Sequence, residues 1–323
     1  MKIFLRILIG LVIVVIAGFY FFVKPYFVGL ITDYDRYSFE YVLENDTLRA
    51  DYGLTDQTSP IDYGFLFEEI NFPTLTDGLK LNGWYVPAKK QGVEQTLIIN
   101  HGRTSNRLKT LKYLELVADY GIDTLYNVFI PDLRNSGKSE EAKTALGYEF
   151  AEDITASMKM LKDQYGQKEF VLWGFSMGAM ASAITVNRPD LVEYQKANGI
   201  KVNKLILASP LSNVKETSWV EGQRMGIPRF IFDAAWSGFD GLVDNWTDKM
   251  KFSYLLSNNK LPALVLYGNG DATTPAEILE AEIDGQMNVY PVLFQGADHV
   301  RIYTRPEFKE RYASRVDAFL RMD

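Results

Sequence analysis

No cysteine occurs among the 323 residues. Disulfides, thiolate zinc sites, iron–sulfur clusters, a cysteine nucleophile and a lipid-modified cysteine are thereby excluded. Histidine is almost as scarce, with His101 and His299 the only two. A multi-histidine metal site is not expected, and no motif asks for a metal or another cofactor. Any chemistry that needs an imidazole must use one of these two. Excess positive charge is missing as well. The formal net charge is −7, whereas binding along nucleic-acid phosphates requires a basic surface, so nucleic acid is not an expected partner. What is present is a globular mix, 47% hydrophobic and 23% charged. That excludes disorder as the main state and fits one large α/β domain or two ordinary ones.

The N-terminus departs from this mix. Ile7 to Val23 carries no charge, and as a helix it would span roughly 25 Å. That is near the lower limit for a bilayer core, with Arg6 able to snorkel at one end. Tyr20, Phe21, Phe22 and Tyr26 would form an aromatic belt at the other. The expected element is a single-pass membrane anchor over residues 1–25. The competing reading is a signal peptide cleaved near Ala17, but the apolar run continues to Val23 without a polar break. Lys2 and Arg6 precede the run, so the positive-inside rule directs the N-terminus to the cytoplasm and the remaining domain outside it.

Residues 26–60 have no clear period and read as a juxtamembrane helix and linker. Residues 61–323 read as one domain. Phe65–Phe72 and Leu79–Val86 are expected strands, joined at Thr76-Asp77-Gly78. Further short apolar runs follow at Thr96–Asn100, Thr124–Ile130, Phe170–Trp173, Lys204–Ala208, Ala263–Tyr267 and Val289–Phe294. Between them, Asn106–Tyr120, Glu149–Leu161, Met177–Asn187 and Glu307–Leu320 carry apolar residues at helical spacing. This alternation predicts an α/β fold with a mostly parallel sheet covered by helices on both faces. Reactive groups in such sheets collect at the carboxyl ends of strands. One stretch breaks the alternation. Residues 212–259, with Trp219, Trp236 and Trp246, are too long for an ordinary connection and read as an inserted helical lid.

The strand at Phe170–Trp173 runs into Gly174-Phe175-Ser176-Met177-Gly178, and a helix follows. This is G-x-S-x-G in a strand–turn–helix setting. The serine stands clear of the sheet on a strained turn, and a β-carbon at Gly174 or Gly178 would collide with neighbouring elements. A serine hydroxyl needs a base, and the base needs an orienting carboxylate. His299 is the only histidine downstream, in a loop after the last strand. Asp271 follows the preceding strand and is the expected acid. Asp298 is the weaker candidate, because a neighbour's side chain points elsewhere. His101 lies upstream, out of order for the base. Its expected role is structural, with Gly102 letting the backbone bend so that the Arg103 N–H faces the site. That N–H and the N–H of Met177 would form an oxyanion hole. The loop from Asp132 to Ser139 resembles a phosphate-binding loop only superficially: the required first glycine is Asp132. It reads as a rigid loop, with Asp132 and Arg134 bonding backbone or each other.

These residues together resemble the α/β-hydrolase superfamily, from about Ile61 onward. The resemblance rests on Gly83–Pro87, His101-Gly102, Asp132–Ser139, Gly174–Gly178, Asp271, Pro275 and His299. It implies an eight-stranded sheet with antiparallel first strands, Ser176 as nucleophile, His299 as base and Asp271 as orienting acid. The wider arrangement looks most like single-pass, membrane-anchored serine hydrolases. The expected activity is hydrolysis of a carboxylic ester through an acyl-enzyme, on a small-molecule or lipid-like acyl substrate that includes thioesters. A serine peptidase or amidase would use the same triad. A third reading is a membrane-tethered binding protein on a silent hydrolase fold.

Overall fold

The structure is a computed structural model that describes residues 2–322. Eight strands form one sheet: β1 (Glu68–Pro73), β2 (Lys80–Val86), β3 (Gln95–Asn100), β4 (Asn127–Asp132), β5 (Glu169–Phe175), β6 (Lys201–Ala208), β7 (Ala263–Gly268) and β8 (Val289–Phe294). Their spatial order is β1-β2-β4-β3-β5-β6-β7-β8. β2 runs antiparallel to both its neighbours, and every pair from β4 to β8 is parallel. From β3 the chain first goes outward to β4 and then returns to β5 on the other side. This reversal opens a crevice at the carboxyl ends of β3 and β5.

The central strands are short apolar runs because helices cover both faces, and β4 and β7 are buried at every residue. One face carries α7 (Tyr148–Tyr165), α8 (Met177–Thr185), α12 (Phe252–Asn259) and α13 (Ala276–Ile283). The other carries α5 (Leu108–Leu111), α6 (Tyr113–Asp119) and α14 (Pro306–Leu320). The sequence predicts one helix over 106–120; the structure breaks it at Lys112, whose buried ammonium donates to the Tyr52 carbonyl at 3.0 Å. α8 is buried along its whole length. Its small residues let the backbone after Ser176 lie close to the sheet.

The N-terminal region corrects one expectation. α1 (Lys2–Gly18), a π-helical turn at Phe19–Val23 and α2 (Lys24–Thr32) form a continuous helical rod. α3 (Phe39–Leu43) and α4 (Asp46–Tyr52) follow, capped at their N-termini by the Ser38 and Asn45 side chains. Residues 26–60 thus contain helices, as expected, but they pack onto the domain instead of linking to it loosely. Phe39, Val42, Tyr52 and Leu54 are buried in the core cluster beside α6. Phe39 meets Trp84 edge-on at 5.7 Å, and the Arg107 guanidinium lies over both rings. The contacts are between apolar residues at irregular spacing, so no periodicity announces them.

The 212–259 insertion is also shorter than expected. An antiparallel bridge between Asn213 and Lys251 closes its neck, reinforced by Val214 N–H to Met250 C=O and Phe252 N–H to Ser212 C=O. α10 (Val214–Arg224) and α11 (Arg229–Asp240) lie above that neck. α12 lies below it and belongs to the layer that covers the sheet. Among the aromatics of the upper piece, Trp219, Phe232, Trp236 and Phe239 pack in series, each ring within 5.4 Å of the next.

Candidate active site

The site is built on the turn after β5. Ser176 has φ 51° and ψ −116°, a conformation that costs on the order of 1–3 kcal/mol for a residue with a β-carbon. The fold holds it there by backbone bonds on both sides: Ser176 N–H donates to Ala208 C=O, and Leu211 N–H donates to Ser176 C=O. The flanking glycines are required by contact. A β-carbon on Gly174 would sit 2.3 Å from the Gly178 carbonyl oxygen, and one on Gly178 would sit 2.3 Å from the His101 carbonyl oxygen. The turns after β3 and β5 are thus in backbone contact.

Ser176 Oγ lies 3.0 Å from His299 Nε2, and His299 Nδ1 lies 2.7 Å from Asp271 Oδ2. Residues 123 and 28 positions apart in the chain meet here because the turns after β5, β7 and β8 lie along one edge. Asp271 is 6% exposed. Burial alone would push its carboxyl up. Hydrogen bonds and attraction from His299, with donation from Thr274, outweigh burial and hold it below the usual carboxylate value. Thr274 N–H and Thr273 N–H both donate to Asp271 Oδ1, and the Thr274 hydroxyl donates to Oδ2. A hydroxyl bonded to an imidazole that is bonded to a buried carboxylate can be activated as a nucleophile. Asp298 points away and pairs with Arg305.

Sequence reasoning missed Thr273, Thr274 and Ser209. Ser209 has φ 42°, and its hydroxyl accepts from Val300 N–H at 3.1 Å, tying down the His299 loop. The threonines carried a legible signal, an aspartate whose carboxylate caps the N–H groups two and three residues on. Ser209 carried none, since its partner is 91 residues away.

Gly102 approaches Ser176 closely; a β-carbon there would be 3.1 Å from Ser176 Cβ. The N–H groups of Arg103 and Met177 donate to no protein acceptor among the described residues. His101 is buried between the β3 turn and β4. Its Nε2 accepts from Leu133 N–H, so Nδ1 carries the proton and donates to the Gly102 carbonyl. The ring is a brace for this turn. Burial pushes its pKa below the ordinary 6.5, so the folded protein keeps it neutral. The unfolded chain binds a proton below that value, and stability is lost as pH falls from 6.5 towards the depressed folded value. We predict that wild-type protein loses up to about 1.4 kcal/mol more than His101→Gln between pH 7.5 and 5.5. Denaturant midpoints at the two pH values read this difference, and parallel curves would refute it.

Asp132 and Arg134 do not bond each other. Asp132 accepts from Arg107 N–H and Lys138 N–H. Gly137, at φ 49°, leaves the space for that carboxylate. Arg134 pairs with Asp153, Glu152 and Asp77. The loop is rigid through two separate charge networks. Among the described residues, no cluster of histidine, aspartate and glutamate could hold a metal ion.

The family described as the alpha/beta hydrolase fold matches residues 95–232. With the sheet order and the turn at Ser176, this match gives the chain the α/β-hydrolase fold. An uncharacterized protein, YqkD of Bacillus subtilis, is 32% identical over 108 residues, and the match spans 33% of each chain. The Pyrococcus furiosus esterase Pf2001 superposes with a TM-score of 0.61 at 24% identity, over 83% of this chain and 95% of that one. A membrane phospholipase A, described as a bacterial virulence factor, superposes with a TM-score of 0.54 at 18% identity over the full length of both chains. The two structural likenesses are likenesses of fold.

Proposed function

We propose that the protein is a serine hydrolase that cleaves carboxylic esters through an acyl-enzyme on Ser176. The observation that carries this reading is the unbroken hydrogen-bond chain from Ser176 Oγ through His299 to buried Asp271. His299 Nε2 takes the hydroxyl proton as Ser176 Oγ attacks the acyl carbon. The carbonyl oxygen becomes an oxyanion and accepts from the N–H groups of Arg103 and Met177. Collapse breaks the bond to the alcohol oxygen, and His299 returns the proton to that leaving group. Water, deprotonated by His299, then attacks the acyl-enzyme and releases the acid. Asp271 holds the imidazole in the productive tautomer throughout. The test is a fluorophosphonate adduct mapped by mass spectrometry. The expected adduct sits on the peptide that contains Ser176; a folded protein that forms none sinks the reading.

We further propose that α1 anchors the protein in a membrane, with the catalytic domain outside the cytoplasm. Residues Ile3–Thr32 form one helix long and apolar enough to cross a bilayer, and its most apolar stretch is unburied. A core helix of a soluble protein would be covered. The segment after it, α2, is packed on α11, so the rod runs from the apolar stretch onto the domain. The expected outcome is that the protein stays in the membrane pellet after carbonate extraction and is released by detergent. Release by carbonate alone would refute the anchor.

A further inference from the structure

The apolar rod does not end where the catalytic domain begins. Phe27, Leu30 and Ile31 of α2 line the same cavity as Ser176 and His299, a cleft of about 680 Å³. The cleft continues between α2 and the inserted helices, where Ile227 and Phe232 line it. α2 and α11 are in tight contact: a β-carbon on Gly238 would sit 2.6 Å from Lys24 and 2.9 Å from Val28.

The segment that follows Leu30 is fastened to the loops of the site. The Arg103 guanidinium donates to the Leu30 carbonyl at 2.9 Å and lies over the Tyr34 ring. Asn135 donates to the Tyr34 carbonyl, Asn106 donates to the Tyr37 carbonyl, and Arg36 donates to the Gly137 carbonyl. Arg103 thus offers its N–H to the site and its side chain to the end of the rod. The helix wall is fixed in position relative to Ser176.

Depth follows from helix geometry. The uncharged run ends at Val23, and Phe27 to Ile31 lie roughly 6–12 Å further along the axis. The headgroup layer on each side of a bilayer core is roughly 5–8 Å thick. The apolar wall of the cleft therefore begins at headgroup height. Each methylene drawn from the bilayer into water costs roughly fourfold in the equilibrium. A chain that passes from lipid along Phe27, Leu30 and Ile31 avoids most of that loss.

We infer that the end of the membrane helix is one wall of the acyl-binding cleft, and that the substrate is a bilayer-resident amphiphile whose acyl chain lies along Phe27, Leu30 and Ile31. This rests on the hydrolase and anchor readings above. It makes the anchor a part of the substrate site and assigns chain-length selectivity to α2.

The experiment uses the full chain reconstituted in vesicles of ether-linked phosphatidylglycerol, which carries no carboxylic ester to cleave. The probes are 1-dodecanoylglycerol in the bilayer and water-soluble p-nitrophenyl butyrate. The readout is the ratio of dodecanoate to butyrate turnover. Leu30→Trp and, independently, Ile31→Trp fill the cleft by the equivalent of two methylenes or more, and each should lower the ratio roughly tenfold. Leu11→Trp, on the same rod but away from the cleft, should keep the wild-type ratio. An unchanged ratio in both cleft variants overturns the inference, as does an equal fall in Leu11→Trp. Wild-type protein that fails on butyrate as well as dodecanoate overturns the hydrolase reading, and this inference with it.

Discussion

Ser176→Ala is expected to lower ester turnover by on the order of 10³- to 10⁶-fold and to abolish fluorophosphonate labelling. The reason is local. Ser176 Oγ is the atom that His299 Nε2 contacts at 3.0 Å, and alanine removes it while keeping the β-carbon. The strained backbone at φ 51° is held by bonds from the Ser176 N–H and to its carbonyl, neither of which the substitution touches. The variant should therefore melt within a degree or two of wild type. Ser176→Gly separates strain from chemistry. It should be equally inactive but more stable by about 1 kcal/mol, because glycine adopts this conformation without a clash. Residual turnover in Ser176→Ala near the wild-type rate would show that the nucleophile lies elsewhere. Binding of a chromogenic ester should survive in both variants.

Asp271→Asn is expected to lower kcat by on the order of 10⁴-fold with little change in KM. The carboxylate accepts from His299 Nδ1 at 2.7 Å and from three donors on Thr273 and Thr274. An amide in its place presents N–H₂ either to His299 or to the Thr273 and Thr274 donors. The first choice forces the imidazole into the tautomer that carries its proton towards Ser176, which disables it as a base. The second loses the cap of the turn. Asp271→Asn should also cost some stability at neutral pH, because the bonds that hold the carboxyl below its usual value outweigh its burial. Stopped-flow acylation measured alongside steady-state turnover locates the loss in the chemical step. A kcat within tenfold of wild type would mean that His299 is oriented by something other than this carboxylate. Thr274, whose hydroxyl lies 3.3 Å from His299 Nδ1, would then be the next group to test.

Much of the scaffold is legible in the chain because it is local. Strand β5, the turn at Ser176 and helix α8 follow one another without a break, so the apolar run, the glycine spacing and the small residues can be read together. Asp271 and His299 each follow a strand directly, and the order of three residue types suffices to nominate them. Asp271 also caps its own turn, a signal confined to four residues. The packing of α3 and α4 onto the domain was not legible, although Ser38, Asn45 and Gly53 mark helix ends there. Their apolar residues have no period because each one fills a gap in a surface formed by other parts of the chain. Lys112 hides in the same way: its ammonium donates to a carbonyl 60 residues earlier.

The sequence by itself determined the alternation of strands and helices, the uncharged helix at the N-terminus, the exclusion of thiol and multi-histidine chemistry, and the nomination of Ser176, Asp271 and His299. Each of these depends on neighbours in the chain or on composition, and both are written in one dimension. The tertiary structure decided the rest. It set the 3.0 Å and 2.7 Å distances that join the three side chains. It divided the 212–259 segment at a neck that only a bridge between Asn213 and Lys251 reveals. It also brought the end of the apolar rod against the cleft at Ser176, through a bond between Arg103 and Leu30. Contacts of this kind form between surfaces that meet only after the sheet has assembled, and a side chain's partner across 73 residues leaves no period or spacing from which to read it.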